Sequence, residues 1–337
     1  MNVLSGQSRA GTVFRVSAAL LGTYVLVVLV LGVYWILQPA MFDVEARAAG
    51  RAEAMERRRV NGFTTTSTLI ELADTLLEKP GGYMSNDIFP PGVIVDDIRN
   101  WEFGVLVQIR DLARIMRGEI SRSQSQSRED PDLAEAEGKF FFDNSAWLFP
   151  QTEDEYRAGI RFTRNYLARL SDPAQPDAQF YGRADNLRAY LSAVNTRLGS
   201  LSQRLSNAAG QQQYDMGLAG EPSGRQSTPT PLEQEVRTPW LEIDDVFHEA
   251  RGQTWALIHI LRAMEVDFRD VLEDKNALVS LRQIIVKLEA TQQTLWSPMV
   301  LNGDGFGFMA NHSLVMASHI ARANAAIIDL RALLSEG

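Results

Sequence analysis

Four histidines carry most of the chemistry open to this chain: His248, His259, His312 and His319. Histidines that share a metal on a helix stand one turn apart. Here His248 and His259 are eleven residues apart, and His312 and His319 are seven. Each pair shares a helix face, but seven residues rise about 10 Å, too far for one ion. His248-Glu249 opens like the zinc-protease helix motif, yet Gly252 stands where the second histidine must be. A di-iron bundle needs Glu-x-x-His on two helices; only His248 has an acid three residues upstream, Asp245. Gly220–Gly224 misses the spacing of a nucleophile elbow. The acid pairs Asp96-Asp97 and Asp244-Asp245 read as charges at helix starts rather than acid–base couples. Cysteine is absent, which removes disulfides, thiol catalysis and thiolate metal sites. These residues assign no catalytic group, no metal and no cofactor.

One non-helical block remains as a candidate ligand or partner surface. Ser297 to Phe308 carries Asn302, Gly303, Asp304 and Gly305, and leads into Asn311 and His312 at the start of the last helix. Glycines before a helix can cradle an anion on free backbone N–H groups. No strand precedes the block and no lysine lies in it, so it is not a P-loop. The plainer reading is a tight interhelical turn that packs two phenylalanines into the bundle end. Gly81 to Gly92 is a second turn of this character. If the two meet at one end of the bundle, that end is the candidate surface.

The elements that must position these residues are helices. Apolar residues recur at alternating spacings of 3 and 4: Leu106, Ile109, Ala113, Met116, Ile120; then Leu187, Leu191, Val194, Leu198, Leu201, Leu205; then Met316, Ile320, Ala323, Ile327, Leu330 and Leu334. That period predicts an all-α, elongated antiparallel helical bundle with small crossing angles. Period-2 stretches are missing, so no sheet is expected. Trp240 to Asp274 is expected as one helix, or two joined near Gly252. Thr152 before three acids is expected to cap a helix, and Asn311 or Ser313 the last one. A first helical group (64–206) and a second (239–337) flank a Gln-, Gly-, Ser- and Pro-rich stretch, 207–238, expected as a flexible linker. Within the first group, 121–150 reads as a polar strap ending in an aromatic knot, tied onto the bundle side; a partner-docking peptide is the sharper alternative. Trp101–Met116 and Trp255–Met264 resemble one another faintly, as an internal duplication would.

Val16 to Phe42 contains no charged side chain, and Val16–Leu37 is long enough to cross a bilayer at about 1.5 Å per residue. It is expected as an uncleaved anchor, with a short basic tail (1–15) before it and a juxtamembrane segment (38–63) after it. Tyr34 and Trp35 suit the interfacial aromatic belt. A strict count of flanking arginines slightly favours a cytoplasmic C-terminal domain. The form of a signal anchor, a basic tail before the first apolar span, favours a periplasmic one, which is the expectation adopted. The net charge of −9, with dispersed basic residues, argues against a nucleic-acid partner.

Several blocks carry a resemblance: Trp101–Arg117, the strap SRSQSQSREDPDLAEAE, Ser297–Leu334, and GVYWILQPAMFDV after the apolar span. They resemble the bacterial family called Domain of Unknown Function 2333. The resemblance implies a single-pass envelope protein of a Gram-negative bacterium, of uncharacterised role, and brings no catalytic residues; the membrane expected to hold the anchor is the inner one. The expected function is a non-enzymatic, membrane-anchored scaffold or adaptor with an envelope protein as partner. A ligand-sensing bundle with a site near 302–312 is the alternative, and a hydrolase with a dispersed site is a third. Seam-type helices also allow pairing with a second copy.

Overall fold

The computed structural model describes residues 4–122, 128–175, 177–208, 211–214, 233–236, 238–297, 299–303 and 308–336. Among the described residues eleven α-helices follow in order: α1 (Leu4–Trp35), α2 (Val44–Ala54), α3 (Phe63–Glu78), α4 (Asp96–Ile115), α5 (Pro131–Phe140), α6 (Thr152–Leu170), α7 (Ala184–Asn207), α8 (Ile243–Asp267), α9 (Arg269–Asp274), α10 (Leu278–Glu289) and α11 (His312–Leu333). A π-helical turn, Met116–Ile120, extends α4. The bundle is all-α apart from a ribbon of two short antiparallel strands, β1 (Gln211–Tyr214) and β2 (Glu233–Val236), in register from Gln211 opposite Val236 to Tyr214 opposite Glu233. That ribbon falls inside the stretch read as a linker, most of which lies outside the described residues.

The bundle is organised around α4 and α8. Asn100 donates to Asp245 at 2.5 Å and Gln108 to Gln253 at 3.3 Å, both pairs 145 residues apart. A constant offset means the two helices run parallel, unlike most of their neighbours. Two glycines let them touch. A Cβ on Gly104 would lie 2.1 Å from the Glu249 carbonyl oxygen, and one on Gly252 would lie 2.0 Å from that of Trp101. The same contact brings Trp101 and Trp255 together at 5.1 Å between rings, both fully buried. Of the two arrangements expected for Trp240–Asp274, a join near Gly252 is not the one found. Gly252 sits inside an uninterrupted α8, and the break comes at Phe268, between α8 and α9.

Helices α3, α7 and α10 pack antiparallel to this pair. Helix α7 is stitched to it by Arg197 on Asp111 of α4 and, two turns on, Arg204 on Glu249 of α8. Residues from both sequence groups, from Ala48 to Leu334, share one continuous apolar core. Cutting the chain at 207–238 thus divides the sequence but not the packing.

Local chemistry explains two further departures. The strap is not wholly non-helical: Pro131–Phe140 is α5, with Asp130 accepting from the N–H groups of Asp132 and Leu133 and proline at the first helical position. Leu133, Ala136 and Phe140 give it a buried stripe. Thr152 is not a cap. It is the first residue of α6, and its hydroxyl donates to the Asp143 and Ala146 carbonyls, tying the aromatic loop down. Asn311 caps α11 as expected, accepting from Leu314 N–H at 2.9 Å.

Among the described residues one helix is long and apolar enough to cross a membrane, Val13–Trp35 within α1, and almost none of it is covered by protein. Only its last turns touch the bundle, where Gly32 approaches Pro91 and Val95 and Trp35 lies against Gly81.

Candidate functional site

The loop singled out from sequence folds back on itself. Gly303 N–H donates to the Ala310 carbonyl and His312 N–H to that of Leu301. The Asn311 amide donates to Asn302 Oδ1 at 2.8 Å and to the Gly303 carbonyl at 2.6 Å, while Asn302 donates to the Ala208 carbonyl at 2.7 Å. Gly303 is required because a Cβ there would meet the Met309 carbonyl oxygen at 2.1 Å. Asn302, Gly303 and Asn311 are thus spent on closing the turn. Asp304 and Gly305 lie outside the described residues.

His312 has a different position. Its Nδ1 accepts from Leu301 N–H at 3.0 Å, which leaves the proton of the neutral ring on Nε2. It lines a cleft of about 270 Å³ with Arg251, Phe247, Trp296, Met316 and His319. Partial burial lowers the His312 pKa, so the ring is held toward its neutral form. Arg251 is half-buried and makes no ion pair among the described residues. Its guanidinium donates to neutral oxygens only: Gln38 Oε1 at 3.0 Å, and the carbonyls of Gln293 at 2.8 Å and Thr291 at 3.4 Å. A half-buried cation that meets only amides is stabilised further by an anion.

The other two histidines form a clamp that sequence reading did not find. They grip the segment that leaves α1, at Gln38 and Phe42. His248 takes a hydrogen bond on Nδ1 from the Gln38 amide at 3.1 Å, and its Nε2 faces Asp97 Oδ1 at 3.2 Å. His259 Nε2 accepts from Phe42 N–H at 3.0 Å, and its Nδ1 lies 2.7 Å from the Trp255 carbonyl oxygen. Those partners fix the tautomers: the proton sits on Nε2 of His248 and on Nδ1 of His259. The Phe42 ring stacks on His259 at 3.9 Å and meets Trp255 edge-on at 5.8 Å. Burial pushes both histidines down to about 4, so each is neutral at physiological pH and acts as a bridge rather than a charge. Asp97 is pushed up to about 6 by burial and by Asp96, Asp244 and Asp245. His248, Arg251, Trp255 and His259 follow at spacings of 3, 4 and 4 on one face of α8. That polar-aromatic stripe was the available signal.

A third feature holds the neighbouring loop. Lys79 and Glu102 form an ion pair with side chains 1% and 0% exposed. Glu102 also accepts from the N–H groups of Met84 and Ser85, each at 2.8 Å. Tyr83 and Asn86 then reach the carbonyls of Asn144 and Ala146. The loops 79–95 and 141–152 are therefore joined at the end of the bundle where α1 enters. The 290–297 segment is held to the same end through Arg251, and the 302–311 turn through Asn302 and Ala208. The two turns marked from sequence do share one end.

No curated protein and no solved structure matches this chain. The profile of one family, described as an uncharacterized protein conserved in bacteria, matches residues 8–337. On that match, over essentially its whole length, the chain belongs to the Domain of Unknown Function 2333 family.

Proposed function

We propose that this protein is a non-enzymatic scaffold or adaptor of the bacterial envelope, anchored in the inner membrane by α1, with its helical domain in the periplasm and working through protein–protein contacts. The clamp on residues 38–42 carries the reading. A tether alone needs no ordered junction, and a Gly/Ser-type linker would serve. Here two neutral histidines, a half-buried arginine and a ring stack hold the junction to the central helix of the bundle, which sets the domain's stance relative to its anchor. A fixed stance serves a domain that must present one face to a partner.

Crosslinking in intact cells, followed by co-purification in mild detergent and mass spectrometry, tests this. A defined envelope protein should be recovered, and its yield should fall when Phe42→Ala and Gln38→Ala release the clamp. Recovery of no envelope protein counts against the proposal, and recovery of the chain itself would indicate pairing of copies. An alkaline phosphatase fused at the C-terminus should be active; an inactive fusion overturns the orientation.

The cleft at Arg251 supports a second reading, a sensor of a small anion with an apolar part. Thermal-shift screening with carboxylates and phosphate esters addresses it. Stabilisation lost on His312→Ala would promote it, and none across the panel would remove it.

A further inference from the structure

The exposed aromatic side chains of the helical domain are not scattered. All three exposed tryptophans outside α1 (Trp147, Trp240 and Trp296) lie in segments at the end where α1 enters. Among the described residues of the domain, the three most exposed phenylalanines, Phe89, Phe149 and Phe308, lie there too, at 74%, 90% and 112% exposure. They come from five separate segments of chain, so no single local sequence preference explains their convergence. Their placement at one end follows from contacts. Asn86 joins the Phe89 loop to the Trp147–Phe149 loop. Thr238 N–H donates to the Asn207 carbonyl and Asn302 reaches Ala208, which brings the Trp240 and Phe308 segments to the C-terminus of α7. Arg251 holds the Trp296 segment to Gln38, three residues past α1.

We infer that this end of the domain is seated in the lipid interface, with these aromatic side chains inserted as a ring of secondary anchors around α1. The inference rests on reading α1 as the membrane span. Its first support is depth. Pro91 and Val95, with Asp96 and Asp97 beside them, line a largely apolar crevice with Val28, Leu29 and Val33, the last three lying two to seven residues before Trp35. Val28 sits about 10 Å along the helix from Trp35. If Trp35 marks the interface, the 89–95 loop reaches past it toward the hydrocarbon. The second support is chemistry. Tryptophan and phenylalanine at headgroup depth bury an apolar body, and the indole N–H stays hydrated. The third is charge. Asp96, Asp97, Asp244 and Asp245 gather at this end, so anionic lipid is not the attraction. Seating is hydrophobic, and it is insensitive to salt and to anionic lipid content.

The native chain has no cysteine, so single cysteines report depth cleanly. The full-length protein in nanodiscs of phosphatidylcholine, with or without phosphatidylglycerol, would carry one dye-labelled cysteine at a time: Phe149→Cys, Trp296→Cys or Phe308→Cys at this end, Leu26→Cys in α1, and Val279→Cys at the far end of α10. Quenching by brominated lipid is read, with far-UV circular dichroism confirming each fold. The expected result is strong quenching and blue-shifted emission at Leu26, clear quenching at the three loop positions in both lipid compositions, and none at Val279. Loops in water with Leu26 quenched overturn the inference and leave the anchor intact. Leu26 in water overturns the anchor reading itself. Loop quenching that appears only with phosphatidylglycerol overturns the hydrophobic mechanism.

Discussion

Replacing Gly252 with alanine should weaken this protein, although alanine favours a helix by about 1 kcal/mol over glycine. The new methyl would sit 2.0 Å from the Trp101 carbonyl oxygen, 2.9 Å from its carbon and 3.0 Å from its Cα. All three are backbone atoms, so no side chain can turn aside. Ordinary contact begins near 3.4 Å, and α4 and α8 must part by about an ångström or more to reach it. Overpacking of this kind costs about 1–3 kcal/mol and more where the neighbour is rigid. It also loosens the Trp101–Trp255 contact that lies against the junction. We expect a net loss of about 2 kcal/mol. Gly138→Ala provides the control: it lies in α5 with nothing within 4 Å of its added Cβ, and should gain up to about 1 kcal/mol. Gly104→Ala should resemble Gly252→Ala, and the double variant should lose less than the sum, because one separation of the helices relieves both clashes. Urea unfolding of the full chain in detergent, followed by circular dichroism, measures all four. If Gly252→Ala matches or exceeds the wild type while Gly138→Ala behaves as stated, the close crossing of α4 and α8 is wrong.

Glu102→Ala leaves Lys79 buried and two loop N–H groups unsatisfied; a loss of about 3–5 kcal/mol is expected, with protease sensitivity appearing first in 79–95. Asn311→Ala removes a helix cap and two loop hydrogen bonds, and should cost about 1–2 kcal/mol by the same unfolding assay. Phe42→Ala should open 38–43 to limited proteolysis while the bundle stays folded; a junction still resistant would mean the ring stack is dispensable. The pH response follows from His248 and His259, each near 4 when folded against 6.5 otherwise. The unfolded chain takes up their protons first, so stability is full above pH 6.5 and falls as pH drops toward 4, by about 2 kcal/mol per histidine at pH 5. Arg251 beside His248 and Arg262 near His259 reinforce this, while Asp97, raised to about 6, works the other way. A His248→Gln, His259→Gln double variant should therefore lose less stability than the wild type between pH 7 and pH 5, and equal losses would refute the neutral-bridge assignment.

The helices were legible because burial writes a period into the sequence. Leu106 through Ile120 and Leu187 through Leu205 each form one buried stripe. Helix α2 and the helical half of the strap were not, because Val44, Ala48 and Ala52, or Leu133, Ala136 and Phe140, give a stripe only three residues long. For a related reason, sequence leaves open whether the chain breaks at Gly252. Its propensity cost is local and visible, whereas the benefit of close approach belongs to a helix 145 residues away. The mutual spacing of the histidines speaks only to a shared metal. Their actual partners, Gln38 and Phe42, lie more than 200 residues off in sequence, and no periodicity on α8 alone names them.

The junction also constrains what the anchor can be. Residues 38–43, if free, could span about 20 Å and let the domain roll through most orientations over the bilayer. Instead Gln38 is held from two sides, by His248 and Arg251, and Phe42 from two sides, by His259 and Trp255. Each of those four residues lies on α8, and α8 is locked to α4 by glycine-level contact. Rotation of α1 about its axis is therefore transmitted to the central pair rather than absorbed. The neutral imidazoles suit this task, since each joins a donor to an acceptor at a buried position without placing a charge beside the membrane. A domain built only to float at a surface gains nothing from such a connection. One that must hold a partner at a set height and azimuth depends on it, and the variants most damaging to partner recovery should be those at Gln38 and Phe42 that leave every exposed side chain of the bundle unchanged.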